Sequence, residues 1–291
     1  MGTCMPHPLQ SKPRKRSLST YVQNLPRLAE HASHVARCVQ MFRNPWSLLR
    51  AYIAGSSLHS GPIHLRDGLK LHLGKHPFDV VTAFLIFARE TYGRIEPGSV
   101  VVDIGANIGL FSLWAARCGA RSVWAFEPNS ESSSLIRKNI EANDLHDVIM
   151  PKKLAVAGRG GSHVRFPKRS DVRNCLEYAN DVPEDETEEV VTTDLAAIVA
   201  EVGSIDLLKI DCEGAEYEIL KVASIETLSR VRHIKLEYHR GGDQELTDLL
   251  ARHGFQRTML DVHTERLGNM WFERVGAHAG SLERECHPHR A

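Results

Sequence analysis

Most of the features that assign a protein quickly are missing from this 291-residue sequence. It has no excess charge of either sign, with 36 Lys and Arg against 36 Asp and Glu, so there is no global pull toward nucleic acid or an anionic membrane. Aromatic residues are sparse at 7%, and no aromatic-rich basic groove points to a nucleic-acid partner. No apolar run approaches the roughly 18–20 residues that span a bilayer, and no apolar leader with a small-residue cleavage site is read near the start. The six cysteines (Cys4, Cys38, Cys118, Cys175, Cys212 and Cys286) include no C-x-x-C pair. That argues against zinc and against a disulfide framework, and makes a reducing compartment the default. The 16 histidines contain no H-E-x-x-H pattern. Together these absences predict a soluble, cytoplasmic protein, and 42% hydrophobic with 25% charged residues suits a chain that buries a core.

What is present divides the chain. Residues 1–20 are polar and carry Lys12-Pro13-Arg14-Lys15-Arg16, read as a solvated, disordered tail rather than a basic binding arm. Residues 21–95 read as an extension. Helix-like spacing runs over 25–54 with a break at Pro45, then a hairpin over 62–73 turns at Asp67-Gly68, then a helix spans 77–92. The N-terminal helices offer a surface for a homodimer contact. From about 96 to 275 short apolar strands alternate with helices. Strands are expected at 100–102, 123–126, 148–156, 190–193, 205–210 and 233–237, with helices at 110–116, 130–142, 195–202, 215–223 and 243–252. A terminal hairpin is expected over 255–260 and 269–272, an irregular insertion at 158–186, and a tail over 276–291. This alternation predicts a doubly wound α/β fold with a mostly parallel sheet.

In such sheets ligands bind beyond the carboxyl ends of the strands, where strand order reverses. The first strand runs into Asp103-Ile104-Gly105-Ala106-Asn107-Ile108-Gly109. Gly105 and Gly109 allow a tight turn and close backbone approach at a helix start. The dinucleotide pattern G-x-G-x-x-G is not met, because Asn107 stands at the middle glycine and would crowd a pyrophosphate. An acid two residues before the first glycine suits an amine-bearing, cationic ligand. About twenty residues on, Glu127-Pro128 ends the second strand, where a carboxylate can take both ribose hydroxyls. Asp211, Cys212, Glu213 and Glu216 follow the strand at 205–210, and Glu237-Tyr238-His239 follows the next. These carboxylates gather at one rim of the sheet. Asp211 also reads as a cap for the following helix, Asn143 as a left-handed helix end, Cys212 as a packing residue, and Trp114 and Trp124 as core.

At these residues the chain resembles the FkbM family of S-adenosylmethionine-dependent methyltransferases. The matching stretches are VVDIGANIGLFS (101–112), AFEP (125–128), IRKNIEAN (136–143), LLKIDCEGAEYEIL (207–220) and LEYH (236–239). The resemblance runs from about 62 to 272. It implies a seven-stranded class I methyltransferase sheet with one antiparallel strand. It implies S-adenosyl-L-methionine as cofactor, with Asp103, Gly105, Ala106, Asn107 and Gly109 shaping the methionine end and Glu127 holding the ribose. It also implies a hydroxyl acceptor on a sugar or natural product.

The expected reaction is direct methyl transfer to oxygen. Positioning contributes roughly 7–11 kcal/mol in favourable cases, and a base about 10²–10⁴-fold. His239 is the first candidate base, because an ordinary imidazole titrates near neutrality. Glu213 and Asp211 come next, with Glu237 at the same rim; Asp211 is also placed beside the cofactor. No metal is expected, the alternative being a divalent ion on Asp211, Glu213 or Glu237. The segment after Asp211 is not the Asn/Asp-Pro-Pro-aromatic motif of base and glutamine N-methylation. Transfer to nitrogen, a methyltransferase-like module without turnover, and an NAD-dependent oxidoreductase stand as alternatives.

Overall fold

The computed structural model describes residues 28–58, 61–168, 182–239 and 241–276. The basic run at 12–16, residues 169–181 of the insertion and the tail from 277 lie outside the described residues. The extension begins with α1 (Leu28–Met41) and α2 (Pro45–Ala54), separated where the sequence breaks its helical spacing at Pro45, which opens α2 where a missing N–H costs nothing. The hairpin β1 (Ile63–His64) and β2 (Lys70–Leu71) pairs Ile63 with Leu71 around the Asp-Gly turn. Helix α3 (Pro77–Ala83) runs directly into a π-helical turn, Phe84–Ala88. Such turns widen a helix locally and often occur at functional sites.

The α/β part follows as β3 (Val100–Ile104), α4 (Leu110–Arg117), β4 (Ser122–Phe126), α5 (Ser130–Ala142), β5 (Ile149–Lys152), β6 (Ala155–Val156), β7 (His163–Pro167), β8 (Thr187–Thr193), α6 (Leu195–Val202), β9 (Ile205–Ile210), α7 (Glu216–Val222), α8 (Ile225–Ser229), β10 (Val231–His239), α9 (Asp243–Arg252), β11 (Phe255–Thr264) and β12 (Leu267–Arg274). Seven strands form one sheet in the order β11-β12-β10-β9-β3-β4-β5. All run parallel except β12, which is antiparallel to both its neighbours. The doubly wound α/β expectation and the terminal hairpin are both met.

Side-chain alternation along the strands feeds two cores. Val101 and Val123 join Phe42, Leu48, Leu65, Phe87 and Trp114 on one face. Val102, Leu208 and Ile234 join Leu195, Leu220, Leu246 and Leu250 on the other. The extension thus shares its core with one face of the sheet. Helix starts are fixed locally: Asn129 caps α5 by accepting from the N–H of Ser132, and Asp194 caps α6 by accepting from that of Ala197. Each cap is worth about 1 kcal/mol. Among the described residues, no helix is long and apolar enough to cross a membrane.

Four local expectations change. The strand at 148–156 divides, because β5 is the sheet edge, carries Pro151, and bends away after Lys152 to place β6 in a small sheet ordered β6-β8-β7. The insertion is not wholly irregular, since β7 pairs antiparallel with β8. A further helix, α8, forms behind a Ser224 cap that accepts from the N–H of Thr227. Asn143 is not left-handed (φ −119°); Asp144 takes that conformation. Asn143 instead brackets β2, accepting from the Lys70 N–H and donating to its carbonyl, both at 2.7 Å.

Candidate active site

Strand order reverses at β3, with β4 and β5 to one side and β9 and β10 to the other. The carboxyl ends of β3, β4, β9 and β10 open together into a cavity of about 620 Å³, within the usual range for small-ligand sites. Gly105, Ala106, Asn107, Glu127, Asp211, Glu213, Glu237 and His239 line it.

The loop after β3 is pinned from several directions. The N–H groups of Gly105 and Ala106 donate to the Phe126 carbonyl at 3.1 and 3.0 Å. Gly105 lies at φ +73°, and a Cβ there would stand 1.8 Å from the Asp211 carbonyl oxygen, so no other residue fits without moving β9's end. Asn107 takes a left-handed φ of +49°, tolerable for asparagine. Gly109 is also left-handed at φ +82° and starts α4.

Glu127, expected to hold a ribose, is itself held by two backbone amides. Its Oε2 accepts from the Asn107 N–H at 2.8 Å and its Oε1 from the Asn129 N–H at 2.9 Å. Burial pushes its pKa up to about 7, although both N–H groups pull it down. Each oxygen keeps a second lone pair for a ligand hydroxyl.

Asp103 is not a wall residue. It is fully buried, accepts from the Ser112 hydroxyl at 2.7 Å, and pairs with Lys209 at 3.0 Å. The Lys209 ammonium also donates to the Gly105 carbonyl at 2.8 Å and lies 3.7 Å from Asp211. Desolvation works against the ammonium, but Asp103 and Asp211 outweigh it and hold its pKa above the ordinary lysine range. Lys209 therefore ties the β3 loop to the β9 end. Sequence reasoning assigned it no role; its signal was a charge inside an otherwise apolar strand.

At the ends of β9 and β10, Asp211 accepts from the Tyr92 hydroxyl at 3.3 Å and does not cap α7, whose N-cap is Ala215. Burial, then the nearby Asp211, pushes the Glu237 pKa well above the usual carboxylate range. His239 Nδ1 is 2.9 Å from Glu216 Oε1, and its Nε2 is 3.5 Å from Glu213 Oε2. Burial disfavours the imidazolium, but Glu216 outweighs it, with Glu213 and Asp211 adding, and raises the pKa to about 9. His239 is thus held between two carboxylates rather than standing as a free imidazole. Glu213 has a left-handed φ of +56°, a strained conformation for glutamate. Burial and the surrounding acids raise the Cys212 thiol well above its usual range, which fits a packing role. Trp114 is buried and donates to the Gly93 carbonyl at 2.9 Å, and Trp124 packs against the core.

The remaining walls escaped sequence reasoning. Phe78, Val81, Leu85, Arg89 and Tyr92 come from α3, the π-turn and the segment after it; Phe166 comes from β7; His263, Leu267 and Asn269 come from the β11–β12 hairpin. Arg89 and Asp261 meet at 3.4 Å across this gap. No motif marks these positions, because they converge only through tertiary packing.

Comparisons with known proteins place the chain in a family. A profile for the methyltransferase FkbM domain matches residues 103–257, more than half of the chain and both clusters of site residues. The chain is 32% identical to the AMB antimetabolite synthetase AmbE of Pseudomonas aeruginosa, covering 59% of this chain and 10% of that protein. It is also 32% identical to the ribosomal protein L11 methyltransferase of Carboxydothermus hydrogenoformans, covering 30% of this chain and 27% of that one. The chain therefore spans only a minor part of these curated relatives. Among solved structures, a ribosomal protein L11 methylase from Lactobacillus delbrueckii subsp. bulgaricus superposes with a TM-score of 0.42 at 19% identity, covering 70% of this chain and 81% of that one, too distant to bear on function. On the match over 103–257, the chain belongs to the FkbM family of methyltransferase domains.

Proposed function

We propose that this protein is an S-adenosylmethionine-dependent methyltransferase acting on a hydroxyl of a sugar or natural-product acceptor. The observation that carries the reading is one cavity with two unlike walls: a glycine-turn loop beside a buried, ribose-competent carboxylate, and a cluster of carboxylates with a histidine. The loop and Glu127 suit the cofactor's fit. Gly105 and Ala106 present backbone where a side chain would intrude, and Glu127 keeps acceptor capacity for two ribose hydroxyls. Asp103 acts from behind, holding Lys209 and through it the Gly105 carbonyl. When bound, S-adenosylmethionine supplies a methyl group on a cationic sulfur, which becomes a neutral thioether once the methyl has moved.

The protein's own residues then have two tasks. They hold the acceptor oxygen close to that methyl, and they take its proton. Glu237 is assigned the proton, since a carboxylate whose pKa is raised is the stronger base, with Asp211 beside it at the end of the neighbouring strand. His239, gripped by Glu216 and Glu213, is assigned to orient these groups and balance their charge. The apolar residues of α3 and the π-turn, with Arg89 at their edge, suit an acceptor that is partly apolar and hydroxylated. The name of the Pseudomonas aeruginosa relative, an antimetabolite synthetase, supports a natural-product acceptor. A second reading, a protein acceptor, is favoured by the relative named a ribosomal protein L11 methyltransferase.

Calorimetric titration with S-adenosylmethionine and S-adenosylhomocysteine, with NAD⁺ as control, tests the cofactor. Both sulfur compounds should bind and NAD⁺ should not. Methyl-labelled cofactor with a panel of hydroxylated and amine acceptors, read by NMR of the product, then separates ether from N-methyl products. Binding of NAD⁺ in place of the sulfur compounds would overturn the proposal.

A further inference from the structure

We infer that Asp211, Glu237 and His239 form a site for one divalent cation of the magnesium or manganese class, set in the cavity wall opposite Glu127. What the cation does rests on the methyltransferase reading; whether it binds does not. One ligand atom from each residue lies within 4.8 Å of the others. The topology places them there. Strands β9 and β10 are adjacent and parallel, with Ile210 registered on Leu236, so Asp211 and Glu237 follow side by side. His239 comes two residues later and emerges on the same face as Glu237.

The second observation concerns the histidine. A metal-binding imidazole almost always gives its other ring N–H to a carboxylate, which fixes tautomer and ring orientation. Here Nδ1 is 2.9 Å from Oε1 of Glu216. Glu216 is fully buried and its other oxygen, Oε2, has no hydrogen-bond partner. Oε1 also accepts from the Cys212 N–H at 3.0 Å, so Glu216 is anchored to the chain after β9 and fixes the ring, leaving Nε2, 3.5 Å from Glu213, as the nitrogen that would meet an ion. Glu213 lies outside the trio, with its side chain 34% exposed.

Charge points the same way. Asp211, Glu213, Glu216 and Glu237 gather here, faced by His239 and by Lys209, which Asp103 already engages at 3.0 Å. Tyr92, Cys212 and His263 add no fixed positive charge, and Arg89 is paired with Asp261. The wall is left negative. Two carboxylates and an imidazole suit manganese or magnesium, with open positions for water or an acceptor oxygen. An acceptor hydroxyl on the ion would lose its proton more readily. The O–H proton passes to a neighbouring carboxylate or to water, the oxygen bonds the methyl carbon, and the C–S electron pair returns to sulfur.

The test uses the whole chain, stripped with EDTA and titrated with Mn²⁺ under electron paramagnetic resonance. One ion per chain is expected. Asp211→Asn, Glu237→Gln and Glu216→Gln should each weaken it by about tenfold or more, while Glu201→Gln, at a surface ion pair with Lys152 outside the cavity, leaves it at the wild-type affinity. Circular dichroism checks that each variant folds, and the visible spectrum of Co²⁺ on the unaltered chain reports nitrogen ligation without any substitution. Absence of bound Mn²⁺ and of a Co²⁺ spectrum overturns the site, as does binding indifferent to Asp211→Asn and Glu237→Gln. S-adenosylhomocysteine titrated in EDTA separates the two readings. Its binding without Mn²⁺ binding means the carboxylates serve the cationic cofactor and sinks the metal site. Mn²⁺ binding without it sinks the methyltransferase reading and leaves the site standing.

Discussion

The two walls of the cavity are built in different ways. The wall proposed for the cofactor is local: Gly105, Ala106, Asn107, Glu127 and Asn129 fall within one strand–helix–strand stretch, held by hydrogen bonds from their backbone amides. The wall proposed for the acceptor is assembled from Tyr92 and Arg89, Asp211 and Glu213, Glu237 and His239, and the hairpin bearing Asn269. It is held by side-chain pairs, several of them charged. A backbone-held wall tolerates little change, because each amide and turn is fixed by geometry. A side-chain wall can be edited without disturbing the fold, which suits the acceptor-selecting part proposed for it.

Breaking the first wall should have the largest effect. Gly105→Ala places a methyl against the Asp211 carbonyl at a left-handed φ. It is expected to abolish S-adenosylhomocysteine binding and cost about 3 kcal/mol of stability or more, read by calorimetry and urea unfolding. On the second wall, Asp211→Asn or Glu237→Gln should lower turnover about 10²-fold or more. Cofactor affinity in EDTA should stay near that of the wild type, so a parallel loss of cofactor binding would erase the distinction between the walls.

Glu127 gives a smaller, pH-dependent contrast. Its native pKa, about 7, lies above the ordinary 4.5. The unliganded fold therefore gains stability from its protonated form, in full below that ordinary value, and loses it as pH rises through the native one. The ionised form is the better acceptor for ribose hydroxyls, so cofactor affinity should strengthen over the same rise. Glu127→Gln should flatten both profiles and weaken binding by about 1.5–3 kcal/mol. A wild-type affinity that does not change with pH would remove Glu127 from the ribose. The smallest effect is expected at the rim. Arg89→Ala removes a half-exposed ion pair worth about 0–1 kcal/mol, so it should leave melting and cofactor affinity nearly unchanged while altering the KM for an acceptor.

The sequence by itself determined the alternation of strands and helices, the terminal hairpin, and the glycine turn with Glu127 twenty residues on. These are legible because they depend on local rules: apolar periodicity, capping residues such as Asn129 and Asp194, and glycine where φ must be positive. Asp211, Glu237 and His239 were legible as polar residues gathered at one rim of the sheet, but the distances between them were not. The pairing of β9 with β10 set those distances. Tertiary structure also decided that Asp103 lies behind the loop with Lys209, that Glu216 holds His239 from behind, and that the π-turn and the far hairpin close the cavity. Each depends on residues distant in sequence, whose desolvation and charge act on one another only after the sheet has brought them within a few ångströms.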